Sequence, residues 1–168
     1  MDEIVNPRTG QRMVFVTDTP ELLEIDTVNP PSDIEEPEHV HPRQESGCRV
    51  LSGELRWDLA GEQRLLTAGD SITIPPDVPH HFWNPATEDA HCVQWFRPAL
   101  RTRAFFEALF ALARDGQLKD DGMPRLLQLA VMVPAFGDEI RPTSPPWPVL
   151  RAVTTVLGPI ARVRGYRA

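Results

Sequence analysis

His39-Val40-His41-Pro42-Arg43-Gln44-Glu45 and, further along, Gly69-Asp70-Ser71-Ile72-Thr73-Ile74-Pro75-Pro76-Asp77-Val78-Pro79-His80-His81-Phe82-Trp83-Asn84 are the stretches whose reading decides the fold. The first sets two imidazoles two residues apart. In a β-strand that spacing places both on one face, where a strand offers two nitrogens to one metal ion. The second brings His80 between a Gly/Pro-rich turn and a new strand. Four of the five histidines lie in these two runs.

Around them the first hundred residues read as an all-β unit. Short segments rich in Val, Ile, Thr, Leu and aromatics recur at 11–17, 22–28, 45–51, 54–59, 63–67, 71–74, 80–83 and 90–96. Turn signals separate them: Asn6-Pro7-Arg8-Thr9-Gly10, Ser52-Gly53, Ala60-Gly61-Glu62 and Ala68-Gly69-Asp70. Leu55, Trp57 and Leu59 alternate with Arg56 and Asp58, the pattern of a strand with one dry face. Many short strands at even spacing indicate a sandwich or barrel that closes its own edges.

The two runs resemble the paired signature motifs of the cupin superfamily. The first motif is matched by His39, His41, Glu45 and Gly53, and the second by Gly69, Pro75, Asp77 in place of a glycine, His80 and Asn84. The resemblance covers about residues 35 to 97. It implies a mainly β fold, a double-stranded β-helix (jelly-roll barrel), with the histidines facing the interior. It also implies a divalent metal, Fe, Mn, Ni, Cu or Zn, held by His39, His41 and His80. Glu45 is the candidate fourth ligand. Counted back from Gly53, however, the usual glutamate position falls on Ser46, and a one-residue shift turns a strand side chain to the opposite face. The alternative is a metal-free pocket in which the histidines are polar lining.

From about Pro98 the periodicity becomes helical. Residues 100–114 carry the apolar stripe Phe105, Phe106, Leu109, Phe110 and Leu112 and stop at Asp115-Gly116. A second helix opens at Pro124, and Pro134 is expected to kink or end it. A third spans 149–163, with a break expected at Gly158-Pro159. The chain therefore divides into a barrel at 1–98 and a helical extension at 99–168. The stripes must cover the barrel's outer face, its open mouth or a second subunit, and the resemblance favours a homodimer.

Trp57, Phe82 and Trp95 are the candidate pocket wall, pointing to a partly aromatic small-molecule substrate. His81 alternates away from His80 and is expected outside, Asp77 is expected in a left-handed conformation, and Asn84 is expected to close a turn. Cys48 and Cys92 lack zinc-type spacing and read as small core residues. A net charge of −7 argues against nucleic acid as a partner. No basic-then-apolar leader and no apolar run near ~18 residues occurs, so neither a membrane partner nor a location outside the cytoplasm is expected. The resemblance implies a repertoire of oxidation, isomerisation, decarboxylation and cyclisation. A dioxygenase-type oxidoreductase is the favoured reading, with a non-catalytic small-molecule-binding cupin or an isomerase or cyclase as alternatives.

Overall fold

A computed structural model describes residues 3–32 and 34–168. Two antiparallel sheets face each other. The first contains, in spatial order, β1 (Glu3–Val5), β2 (Arg12–Asp18), β3 (Leu23–Asn29), β10 (Ala90–Arg97), β5 (Glu45–Ser52) and β8 (Ser71–Ile74). The second runs β11 (Arg141–Pro142), β4 (His39–Val40), β9 (His80–Trp83), β6 (Glu54–Leu59) and β7 (Glu62–Thr67). Three helices follow the barrel: α1 (Thr102–Arg114), α2 (Leu126–Phe136) and α3 (Trp147–Val163). No helix among the described residues is long and apolar enough to cross a membrane.

Strict alternation makes these strands. In β3, Leu23, Ile25, Thr27 and Asn29 point inward and are buried. In β10 the inward set is Ala90, Cys92, Gln94 and Phe96, so His91, Val93 and Trp95 take the other face. One end of the space between the sheets is filled by a cluster that includes Val50, Leu55, Trp57, Ile74, Phe82 and the free, fully buried Cys48 and Cys92. A second cluster, with Met13, Leu23, Ile25 and Phe96, closes against Phe110 of α1. The sequence-expected barrel with a helical extension is what the chain forms.

The expected turn conformations also appear. Asp77 sits at φ 62°, in the left-handed region. Asn84 Oδ1 accepts from Ala86 N–H at 2.9 Å, while its Nδ2 donates to the carbonyls of Asn29 and Glu88 at 2.8 Å. Neither proline ends its helix at its own position, although α2 stops two residues after Pro134. Pro134 lies inside α2 and Pro159 inside α3. Each stands in or near the last turn, where a missing N–H removes a single bond and little helix follows to be redirected. The carbonyl deprived by Pro134 belongs to Ala130, and there Gly158 lets α3 approach: a Cβ on Gly158 would come within 3.4 Å of that oxygen.

α1 covers the barrel with its i, i+3, i+4 face: Phe105, Phe110 and Ala113 are buried, and Phe106 and Leu109 pack beside them. Phe105 then packs with Met132 and Phe136 of α2. Buried Gln44 ties the turn after His41 to this helix, since its Nε2 donates to the carbonyls of Pro98 (2.7 Å) and Ala99 (3.0 Å) and to Thr102 Oγ1 (2.8 Å).

Gly47 sits opposite Trp95 across β5 and β10, and a Cβ there would overlap the indole and the Ile72 carbonyl. One of those neighbours is backbone, so neither can yield cheaply. Gly47→Ala is expected to lower unfolding free energy by about 1–3 kcal/mol, the usual penalty of overpacking, measured by urea denaturation. An unchanged midpoint would show that the indole is free to leave.

Candidate metal centre and its cavity

Three histidines meet because of strand pairing. His39 of β4 stands directly opposite His80 of β9, and His41 follows His39 two residues later. The ring centroids lie 5.0 Å (His39–His41), 4.5 Å (His39–His80) and 5.1 Å (His41–His80) apart. One nitrogen from each comes within 4.8 Å of the others. His41 and His80 are buried and His39 half-buried.

The rings are held from behind. His39 Nδ1–H donates to the Pro37 carbonyl at 2.9 Å, His41 Nδ1–H to the Glu139 carbonyl at 2.7 Å, and His80 Nδ1–H to the Val78 carbonyl at 2.8 Å. A carbonyl oxygen can only accept, so each pairing assigns the proton to Nδ1 and leaves the Nε2 lone pair free. Three neutral imidazoles with matching tautomers are a donor set for a divalent first-row metal, and the backbone carbonyls are the outer partners that orient such ligands.

Electrostatics favours the same protonation state. Burial, reinforced by the neighbouring His80 and His41, holds His39 well below the usual imidazole range. Burial and then His80 bring His41 down to about 3. Burial also lowers His80. All three rings are therefore neutral near pH 7 and need not lose a proton to bind a cation.

Glu45 does not join them. Its carboxylate lies 3.6 Å from the Arg97 guanidinium, its register partner across the strands, on the opposite face of β5. Ser46 points inward at the position where the cupin motif expects a carboxylate. It lines the cavity, and its buried hydroxyl has no hydrogen-bond partner among the described residues. The one-residue offset thus keeps its full consequence, because β5 continues regularly from Glu45 through Cys48 without a bulge. His81 faces the other side of its sheet, 3.6 Å from Glu35 and stacked on Trp83. His91 pairs with Asp26 at 2.8 Å.

The triad opens into a cavity of about 210 Å³. Trp57 and Phe82, stacked with centroids 4.7 Å apart, form part of its wall. Trp95 does not line it: the alternation of β10 sends Trp95 outward and presents Gln94 and Phe96 instead. Sequence reading placed Trp95 in the wall because aromatic character alone does not reveal which face a residue takes. The rest of the wall comes from the extension, with Phe105, Phe106, Leu109, Met132 and Phe136 at the cavity. Phe105, Phe106 and Leu109 were legible as an apolar stripe needing cover, but not as pocket lining, and Met132 and Phe136 were not singled out. β11 also joins the barrel, pairing Pro142 with His39 beside the site.

Comparison with known proteins gives concordant findings. Residues 27–96 match a family described as cupin domain. An oxidoreductase of Arthrobotrys oligospora is 29% identical over 119 residues, covering 66% of this chain and 46% of that protein. Polyketide synthase CurC of Streptomyces cyaneus is 39% identical over 61 residues, covering 36% of this chain and 40% of that protein. The matches therefore span less than half the length of either relative. Among solved structures, an RmlC-like cupin from Shewanella frigidimarina is 27% identical with a TM-score of 0.53, over 60% of this chain and 87% of that one. KdgF from Halomonas sp. shares the fold at 22% identity and a TM-score of 0.55, over 61% of this chain and 91% of that one. Residues 27–96 are therefore a cupin domain, and the two-sheet barrel around them shares the cupin fold.

Proposed function

We propose that this cupin is a metal-dependent enzyme acting on a small, largely apolar and partly aromatic molecule, with dioxygenase-type oxidation as its reaction. The observation that carries the reading is three imidazoles, each held by an Nδ1–H bond to backbone and each bringing one nitrogen within 4.8 Å of the others, in a cavity with aromatic walls. His39, His41 and His80 would hold the metal. When bound there it supplies Lewis acidity and open coordination positions for substrate or dioxygen. The chain's own part is positional. Phe96 packs edge-on against His41 with centroids 5.2 Å apart, and Trp57 lies along His80 at 6.1 Å, so both rings are confined. The aromatic walls exclude water and orient an apolar body beside the imidazoles.

The relative named an oxidoreductase supports the reaction class, and the aromatic walls of the cavity support a ring-bearing substrate. The free thiols of Cys48 and Cys92 support a cytoplasmic location. The exposed stripe Val149, Val153, Val156, Ile160 and Val163 on α3 supports a homodimer.

Metal analysis of protein purified without a metal-affinity tag tests the proposal. Near-stoichiometric Fe, Mn, Ni, Cu or Zn is expected, and the His39→Ala/His41→Ala double variant should retain under about a tenth of it, since removing ligands or even their outer partners costs roughly 10–100-fold in affinity. Glu45→Gln should leave the content unchanged. Wild-type protein without metal, and with stability indifferent to chelator, would turn the reading to a non-catalytic binding module.

The histidines also set an acid response. Their folded pKa values lie below the ordinary 6.5, so the unfolded chain binds more protons as pH falls. Stability of chelator-treated protein should therefore fall as pH drops below about 6.5, and for His41 it should go on falling towards about 3. The slope approaches about 1.4 kcal/mol per pH unit for each histidine. Urea midpoints from pH 7.5 to 5 should fall less steeply in His41→Asn, and an identical slope would remove His41 from this account.

A further inference from the structure

Glu36 lies in the segment between β3 and β4 and lines the same cavity as the histidines. Three glutamates of this segment reach the cavity. Glu35 faces His81 at 3.6 Å, and Glu38 accepts from the Thr143 hydroxyl at 2.6 Å. Glu36 is engaged differently, by Gln11, whose side chain favours the charged form of the carboxyl.

Gln11 is itself anchored. Its Nε2 donates to Asn29 Oδ1 at 2.8 Å, and Asn29 Nδ2 donates onward to Cys92 Sγ at 3.4 Å and to the Ala90 carbonyl at 3.5 Å. The one arginine in the lining is committed elsewhere. Arg8 donates through Nη1 to the Lys119 carbonyl (2.6 Å) and through Nη2 to the Asp120 carbonyl (2.7 Å), holding that loop against the barrel. An ionised carboxylate offers about four acceptor positions, and one amide cannot fill them. Burial accordingly pushes the Glu36 carboxyl up to about 7. A half-buried acceptor of this kind on a cavity wall is most stabilised by a donor that arrives with a ligand.

We propose that Glu36 is a specificity-determining residue of this cavity, accepting a hydrogen bond from the hydroxyl group of a ligand whose apolar ring system rests against Phe105, Phe106 and Phe136. The substrate class is thereby narrowed to hydroxylated, ring-bearing molecules. This rests on reading the cavity as a small-molecule site, and not on the metal.

Matched probes test it. Binding of 2-naphthol and of 2-methoxynaphthalene is measured by fluorescence on wild-type, Glu36→Gln and Glu36→Leu proteins, each both metal-loaded and chelator-treated. At pH 8, where a carboxyl at about 7 is ionised, wild type is expected to prefer the naphthol by about 10-fold or more, the difference expected for one hydrogen bond to a charged group. Both variants should lose most of that preference while binding the ether as before, and Glu36→Gln, nearly isosteric, serves if the leucine variant fails to fold. Equal affinity of the two probes for wild type, or a preference that survives in Glu36→Gln, overturns the assignment. A preference that is present without any metal uptake leaves Glu36 standing and removes the metal centre; metal uptake without a preference does the reverse.

Discussion

Everything at this site depends on three hydrogen bonds from imidazole Nδ1–H to backbone carbonyl oxygen. They fix the tautomer of each ring, the plane in which it lies and the direction of the remaining lone pair. Backbone carbonyls suit this task because they are placed by the fold and carry no rotamer of their own. Two belong to residues just before their histidine, Pro37 and Val78, in segments where proline stiffens the chain. The third, from Glu139, comes from far along the sequence. Burial alone would have made the rings neutral, but it would not have chosen which nitrogen faces inward.

The Glu139 contact shows why the helical extension is more than a cover. That residue follows α2 by a short turn, and its carboxylate Oε1 accepts from the Arg101 N–H at 3.0 Å, at the entrance to α1. One residue thus links the start of α1, the end of α2 and the orientation of a candidate ligand. Gln44 makes a comparable link from the barrel side. With β11 paired beside His39 and aromatic side chains of α1 and α2 lining the cavity, the extension shapes the site as much as the barrel does.

The barrel was legible in the sequence because period-two alternation and turn residues are local signals. The eight strands expected from them fall within a residue or so of their observed bounds. The short strands β1, β4 and β11 were missed because two or three residues carry no periodicity. Pro134 and Pro159 misled because a proline's effect depends on how much helix follows it. The histidine triad was legible through spacing in two motifs, whereas Glu45 was carried as a fourth ligand and is turned away by the one-residue offset along β5. Trp95 was misplaced because register is a property of the pair of strands, and Gly47 opposite it is the feature that gives the indole room on the outer face. Glu36 gave no signal at all. In sequence it is one carboxylate in an acidic stretch, and only the fold separates it from the solvated ones beside it.

The electrostatic balance of the cavity follows from these placements. A carboxylate at position 46 would give the donor set a negative charge; serine there leaves three neutral rings, so a bound divalent cation keeps its full formal charge. In surroundings this apolar, such a charge attracts an oxygen that arrives as an anion or becomes one. Glu36 is the cavity carboxyl of the β3–β4 segment that is engaged by an amide, Gln11, rather than by a cation or a hydroxyl. Were a cation held by the three rings, no side-chain carboxylate of β5 would offset its charge, and the ligand would have to bring the opposing one.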